Sequence, residues 1–406
     1  MNKKTLTIML AYVGIVTGAG LASGQELLQY FISLGIPGLI GIGIVGILHT
    51  IFGGILLELG SHYLADNHSD VFSNITNKYL SKFIDIAIIL TCFIVGFVMI
   101  AGAGSNLKQA FDIPTWIGQV LCAGLIILVG FQDFKKVTKI IGSFTPVIII
   151  FALIAGIYTL KNYNPNWSEL DTISKSLPSN INNVVLAIFN YYGVCLMTGV
   201  SMGLVLGGEE LNPIQAGKGG LLGGAIAGLL GILISLTLFI RVDEVGNLDI
   251  PMLYVISDIS PILGFFMAVL IFAMVFNTAI SLFYALARRF SKGDQKRLKI
   301  ILVIITLAGF VLSFAGFKKL VADLYPIIGY VGMIVMVLLL VNWFKEKDDI
   351  EKDKGERKDI KHYISKKIDD DKEFTDKDQD KLKELLDNAP VNNDEIKRII
   401  KDELEK

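Results

Sequence analysis

The chain has 406 residues, 53% hydrophobic and 18% charged, with a mean hydropathy of +0.59 and a net charge of −1. About half of its charged residues, 17 basic and 21 acidic, lie in the 62 residues after Phe344. The first 344 residues are therefore far too apolar for a soluble enzyme, and no basic surface suits nucleic acid. Cys92, Cys122 and Cys195 all fall inside apolar segments, so neither a disulfide framework nor a Cys-rich metal site is expected.

A bilayer core needs about 20 apolar residues per helix. Such runs predict ten membrane-spanning helices at about 5–34, 38–63, 82–107, 115–132, 138–160, 181–207, 217–240, 262–287, 298–315 and 320–344. They are too long and too uniform for lipid-facing strands. The first run lacks a small-residue cleavage site and is read as a retained span.

Lys and Arg near the helix ends set the orientation. With the N-terminus in the cytoplasm, fourteen basic residues before the tail lie inside, among them Lys3, Lys4, Lys135, Lys136, Lys139, Arg288 and Arg289. Six lie outside: Lys108, Lys161, Lys175, Arg241, Lys318 and Lys319. Both termini are then cytoplasmic, which an even helix count also requires. The long outer loops are Lys161 to Pro178 and Arg241 to Pro261, the second with room for a short helix over the body.

The first span reads Thr17-Gly18-Ala19-Gly20-Leu21-Ala22-Ser23-Gly24 before Gln25-Glu26. Each glycine weakens a helix by about 1 kcal/mol relative to Ala. Freed backbone groups in lipid must find partners or line a protected polar cavity. An interruption here would offer carbonyls to a cation and N–H groups to a carboxylate. Close helix packing through Gly20-xxx-Gly24 is the competing use of the same glycines. The sixth span carries Phe189-Asn190-Tyr191-Tyr192-Gly193 and Thr198-Gly199 at a matching depth. An interruption is expected there too. Ten spans then divide into two groups of five, each opening with an interrupted helix. An odd number reverses the second group, giving an inverted repeat around a midplane site.

Ionisable groups inside spans cost about 2.5–3.5 kcal/mol on insertion scales and usually face the interior. Glu26 opens the second half of span one, where it binds an amine, a cation or a proton, or caps the half-helix. His49 lies near the middle of span two, where it titrates during transport or sits neutral between helices. Glu58, nearer a span end, is expected to pair with a basic loop residue, and Asp85 and Asp323 to be structural. Glu209 and Glu210 close span six and are gate candidates opposite Arg288, Arg289 or other basic residues.

Lys345 to Glu373 is a mixed charge run with little to bury. Two short helices follow, one capped by Thr375 with Leu382, Leu385 and Leu386, the other capped by Asn393 with Ile396, Ile399, Ile400 and Leu404. The division read here is a ten-helix body, 1–344, and a charged cytoplasmic tail, 345–406, partly helical or disordered. Its helices either pair, dock on the body or stay solvated.

Gly18-Ala-Gly-Leu resembles the first-helix Gly-x-Gly signature of the amino acid–polyamine–organocation superfamily. Phe189-Asn-Tyr-Tyr-Gly193 resembles its Phe-x-x-x-Gly pattern in helix six. Glu209-Glu210-Leu211-Asn212-Pro213 resembles its Glu-Glu-x-x-Asn-Pro signature, with one residue fewer between Glu and Asn. Within that superfamily the chain is most similar to the bacterial YkvI-type membrane proteins through Gly18 to Glu26. The resemblance covers residues 1–344 and implies an all-α LeuT-type fold of five plus five helices. It implies a non-enzymatic transporter of the bacterial cytoplasmic membrane, moving an amino acid or related amine by alternating access. Solute contacts would come from Gly18, Ala19, Gly20 and Ser23 with Asn190, Tyr191, Tyr192, Gly193 and Thr198. A coupling sodium ion would sit between helices one and eight, at carbonyls near Gly14 and Thr17 and at Asn277, Thr278 and Ser281. Asn277-Thr278 replaces the family's adjacent hydroxyls, and Glu26 stands where relatives leave a half-helix N-terminus free. Proton coupling through Glu26 or His49 is one alternative. Another is a permease-like receptor that signals through the tail to a cytosolic partner.

Overall fold

The computed structural model describes residues 3–132, 145–368 and 374–387 together with Ile396 and Ile400. These residues form helices and no strand. Lys135, Lys136 and Lys139, the start of the expected fifth span, and the helix expected after Asn393 (Ile396 and Ile400 excepted) lie outside the described residues.

The chain opens with α1 (Lys3–Val16), α2 (Ala19–Ser23) and α3 (Gln25–Tyr30). Then come α4 (Ile36–His62), α5 (His68–Ile75), α6 (Lys78–Phe111), α7 (Thr115–Gly130), α8 (Thr145–Asn162) and α9 (Trp167–Lys175). The second part holds α10 (Val184–Gly208), α11 (Pro213–Ile240), α12 (Val242–Val245), α13 (Pro251–Ile259), α14 (Pro261–Ser291), α15 (Gln295–Ser313), α16 (Phe317–Ile368) and α17 (Asp376–Asp387). Six of them, α4, α6, α10, α11, α14 and α16, are long and apolar enough to cross a membrane, and α7 and α8 are shorter apolar helices. The connection between α8 and α10 contains α9, and that between α11 and α14 contains α12 and α13.

Glycine faces bring these helices close. On α4 and α11, a side chain at Gly46 would press on Gly228 Cα at 3.3 Å, and side chains at Gly53 and Gly224 would strike the backbone of Gly220 and His49. Gly207 of α10 meets the carbonyl of Leu57 on α4 in the same way. In lipid the hydrophobic effect does not drive helices together, so such close contact supplies much of the cohesion.

The first helix is interrupted where its glycines lie. Gly18 is extended, with φ −67° and ψ −171°, and separates α1 from α2. Gly24 sits in the left-handed region at φ 77° and separates α2 from α3. A side chain there would also meet Leu238 Cδ1 at 2.7 Å.

The expectation for the sixth span is corrected. α10 runs unbroken from Val184 to Gly208, through Asn190, Tyr191, Tyr192, Gly193 and Gly199. Gly193 serves contact: it lies against Gly329 and Gly332 of α16, and an added Cβ would press on the amide nitrogen of Met333 at 3.0 Å. Asn190 keeps its polar atoms satisfied by donating to the Pro326 carbonyl at 2.9 Å and accepting from the Tyr30 hydroxyl at 3.1 Å. Thr198 donates back to the carbonyls of Val194 and Cys195 at 3.1 and 2.9 Å.

α16 continues past Phe344 and packs on the end of the bundle that holds Lys4. Arg357, 3% exposed, donates to the carbonyls of Ser61 and His62, both at 2.6 Å, and to Asp353 at 2.8 Å. Asp353 also lies 2.7 Å from His62 Nδ1. Burial holds the Arg357 guanidinium below its ordinary pKa. Beside this cluster Leu64 and Leu211 of the body pack with Ile360, Ile364, Leu382, Leu386, Ile396 and Ile400. Thr375 and Asp378 cap α17 reciprocally, and the Lys366 ammonium beside Asp378 brings that carboxyl down to about 2.

Two outcomes are expected. Gly193→Ala lowers the stability of the purified protein by about 1–3 kcal/mol through overpacking. Gly43→Ala, which points into open space, holds or raises it by up to about 1 kcal/mol. Thermal unfolding in one detergent compares them. Arg357→Ala leaves the buried Asp353 with His62 alone, at a cost of up to about 3–5 kcal/mol if the contact persisted. Release of the tail avoids that cost, so limited trypsin digestion cuts the variant within 345–368 faster than the parent.

Candidate functional site

A cavity of about 670 Å³ lies at the break in the first helix. Small-molecule sites commonly occupy about 300–1,000 Å³. α1 contributes Thr7, Gly14 and Val16; the break contributes Gly18, Ala19 and Gly20; α3 contributes Glu26. α4 adds Val45 and His49, α10 adds Tyr191 and Thr198, and α14 adds Asn277, Thr278 and Ser281. Tyr325 of α16 completes the wall, and much of the rest is apolar, including Ile42, Met99 and Met274.

Among the described residues of this lining Glu26 is the single carboxylate, and none is Lys or Arg. It is 8% exposed. Its carboxyl group covers Gly20 so closely that no side chain would fit there. The phenol groups of Tyr191 and Tyr325 meet it. Tyr191 in turn packs edge-on to Phe31 and tilted against Tyr30, both with ring centroids 5.2 Å away. His49 stacks edge-on to Tyr192 at 5.0 Å, so one face is packed while the residue still borders the cavity.

The two ends of the cavity differ. Towards Lys318 it is roofed. Every residue of α3 is buried. Gln29 Nε2 donates to the Lys318 carbonyl at 3.0 Å, and the Gln29 carbonyl accepts from the Asn180 amide at 3.2 Å. The loop before α13 is held to α6: Ser105 donates to Asp249 at 2.7 Å, and Gln109 exchanges two hydrogen bonds with Ile250 at 2.7 and 3.0 Å. Towards Lys4 the lining residues Thr7, Leu10 and Ala11 are exposed.

The structure brings together much of the expected set. Gly18, Ala19, Gly20, Tyr191 and Thr198 border the cavity, as do Gly14, Asn277, Thr278, Ser281, Glu26 and His49. Asn277 Oδ1 is buried and has no hydrogen-bond partner among the described residues. Other expected contacts lie elsewhere. Ser23 is turned to the Gly20 carbonyl at 2.9 Å, and the Thr17 hydroxyl to the Val13 carbonyl at 2.7 Å. Asn190 and Gly193 face α16, and Tyr192 packs between His49 and Phe52.

Of the described basic residues open to the gate candidates, Lys4 rather than Arg288 or Arg289 is the one that pairs. Glu210 pairs with Lys4 at 2.7 Å, while Glu209 is exposed. Arg289 pairs with Asp85, which also lies 3.1 Å from His68 Nε2. Glu58 accepts from the Trp343 indole at 2.6 Å. Tyr325 was missed by sequence reasoning, although the Tyr325-Pro326 pair inside an apolar run is a signal of irregular backbone.

No protein-family model matches the chain. Two Bacillus subtilis (strain 168) proteins resemble it along most of their length. The uncharacterized membrane protein YkvI is 24% identical over 336 residues, covering 82% of this chain and 94% of the relative. The uncharacterized protein YyaD is 25% identical over 334 residues, covering 82% and 95%. Among solved structures, MhsT in complex with L-phenylalanine superposes with a TM-score of 0.58 at 17% identity, covering 97% of each chain. The inward-facing conformation of Mhp1 gives 0.54 at 13% identity, covering 84% of this chain and 76% of that one. The chain is thus related to YkvI and has a LeuT-type fold.

Proposed function

We propose that the chain is a secondary transporter of the bacterial cytoplasmic membrane. It moves a small amino acid or amine by alternating access through the cavity at the broken first helix. The observation that carries this reading is the asymmetry of that cavity: roofed by α3 and its hydrogen bonds at one end, bordered by exposed residues at the other. A transporter needs such a site, reachable from one face at a time. The two structural neighbours support it, one solved with L-phenylalanine and one in an inward-facing conformation.

In this reading the membrane is crossed ten times. The broken unit α1–α3 makes the first crossing; α4, α6, α7 and the segment ending in α8 complete a group of five. α10, α11, α14, α15 and the first half of α16 form the inverted second group. Both termini and the tail are cytoplasmic, so the cavity faces inward. The coupling ion is sodium, held between α1 and α14 by carbonyls around Gly14 and Thr17 and by Asn277, Thr278 and Ser281. The unpartnered oxygen of Asn277 supports a cation there. A second reading, proton coupling, is favoured by the place of both Glu26 and His49 on the cavity wall.

Radiolabelled amino acids and amines in proteoliposomes test the proposal. Accumulation driven by an imposed sodium gradient, weakened about tenfold or more (~1.4 kcal/mol) in Thr278→Ala/Ser281→Ala, is the expected result. Accumulation that follows a proton gradient instead replaces sodium. Saturable binding with no flux under either gradient overturns transport in favour of a receptor.

A further inference from the structure

The structure assigns this site, which rests on the reading above, to a narrower ligand class. We propose that it takes a small organic monocation, a primary amine with an apolar body and no carboxylate.

Charge balance carries the argument. At the roofed end of the cavity, beside Glu26, a ligand must have its charges met by the wall. Among the described residues the wall offers one carboxylate, Glu26, and no Lys or Arg. One ammonium group neutralises it. A zwitterion would bring a second carboxylate that no basic side chain among the described lining residues meets, leaving it to the coupling ion alone. The space over Gly20, beside the helix break, is filled by the Glu26 carboxyl group itself. The aromatic surroundings agree with this assignment. Tyr191 and Tyr325 both reach Glu26, and tyrosine rings attract an ammonium electrostatically. The remaining wall, with Ile42, Met99 and Met274, suits a hydrocarbon or aromatic body. A divalent metal ion fits less well. Among the described residues no group of three His, Cys, Asp or Glu side chains is placed to hold one.

The test measures binding, so it is independent of whether solute is moved. Purified full-length protein in lipid nanodiscs is titrated with three matched pairs: butylamine and norvaline, phenethylamine and phenylalanine, tryptamine and tryptophan. Each pair differs by the carboxylate alone. At least one amine is expected to bind, at least tenfold more tightly than its amino acid. Glu26→Gln is expected to weaken that amine at least tenfold, and Glu26→Asp to keep the preference. If Glu26→Gln does not fold, the order of affinities within each pair on the parent protein decides.

An amino acid that binds as tightly as its amine overturns the assignment, as does unchanged amine affinity in folded Glu26→Gln. Failure of all three amines to bind overturns it as well. Amine binding without flux in proteoliposomes upholds the ligand class and rejects the transporter reading instead. Flux of an amino acid with no amine binding does the reverse.

Discussion

A backbone N–H or C=O group in a membrane must find a partner inside the protein, because lipid offers none. That constraint governs the first helix. Its break at Thr17-Gly18 and Gly24 exposes backbone groups that survive only under cover from other helices. The cover comes from glycine-lined contacts among α4, α10, α11 and α16, which let whole helices close around the break. The same packing leaves a cavity beside it rather than filling the space. The site and the close contacts are therefore two results of one requirement.

Glycine also explains why the sequence is easier to read at one break than at the other. In the first span Gly18 and Gly24 take conformations that disrupt a helix. In α10, Gly193 sits in regular helix and gives room to Gly329 and Gly332. Sequence spacing alone does not separate these uses, because both need a residue without Cβ. Asn190 misleads for a related reason. A buried amide signals a required hydrogen bond, but its partners, Tyr30 and Pro326, are distant in the chain. Glu26 and His49 were legible because an ionisable group within an apolar run is costly and must have a use. Tyr325 was not, since a tyrosine near a span end is also ordinary interfacial chemistry.

The charged segment after Phe344 shows what composition averages away. Its charges mark a region with little apolar surface, yet Arg357 and Asp353 are nearly the most enclosed charges in the molecule. They are tolerable because each meets the other, while Arg357 also donates to the Ser61 and His62 carbonyls at the end of α4 and Asp353 lies beside His62 Nδ1. Helix ends leave such carbonyls unpaired, and a guanidinium satisfies two at once. The neighbouring apolar residues, Ile360 and Ile364 against Leu64 and Leu211, share the same contact. Charge density along a sequence thus says less about solvation than the chemistry of the surface it meets.

The polar ties that roof the cavity set the scale for any motion there. Five hydrogen bonds hold this end: Gln29 to Lys318, Asn180 to Gln29, Ser105 to Asp249, and two between Gln109 and Ile250. At about 1 kcal/mol net each, they amount to roughly 5 kcal/mol. Shifting a two-state equilibrium from 1:99 to 99:1 takes about 5.5 kcal/mol of differential binding. A roof of this strength keeps the cavity closed on its own. It also lies within reach of one ligand that binds the two states unequally. At the opposite end Lys4 pairs with Glu210, with Lys4 about one-third exposed and Glu210 mostly covered. An exposed ion pair contributes about 0–1 kcal/mol. That pair alone is too weak to set which state prevails, so a ligand's differential affinity must act chiefly on the roof.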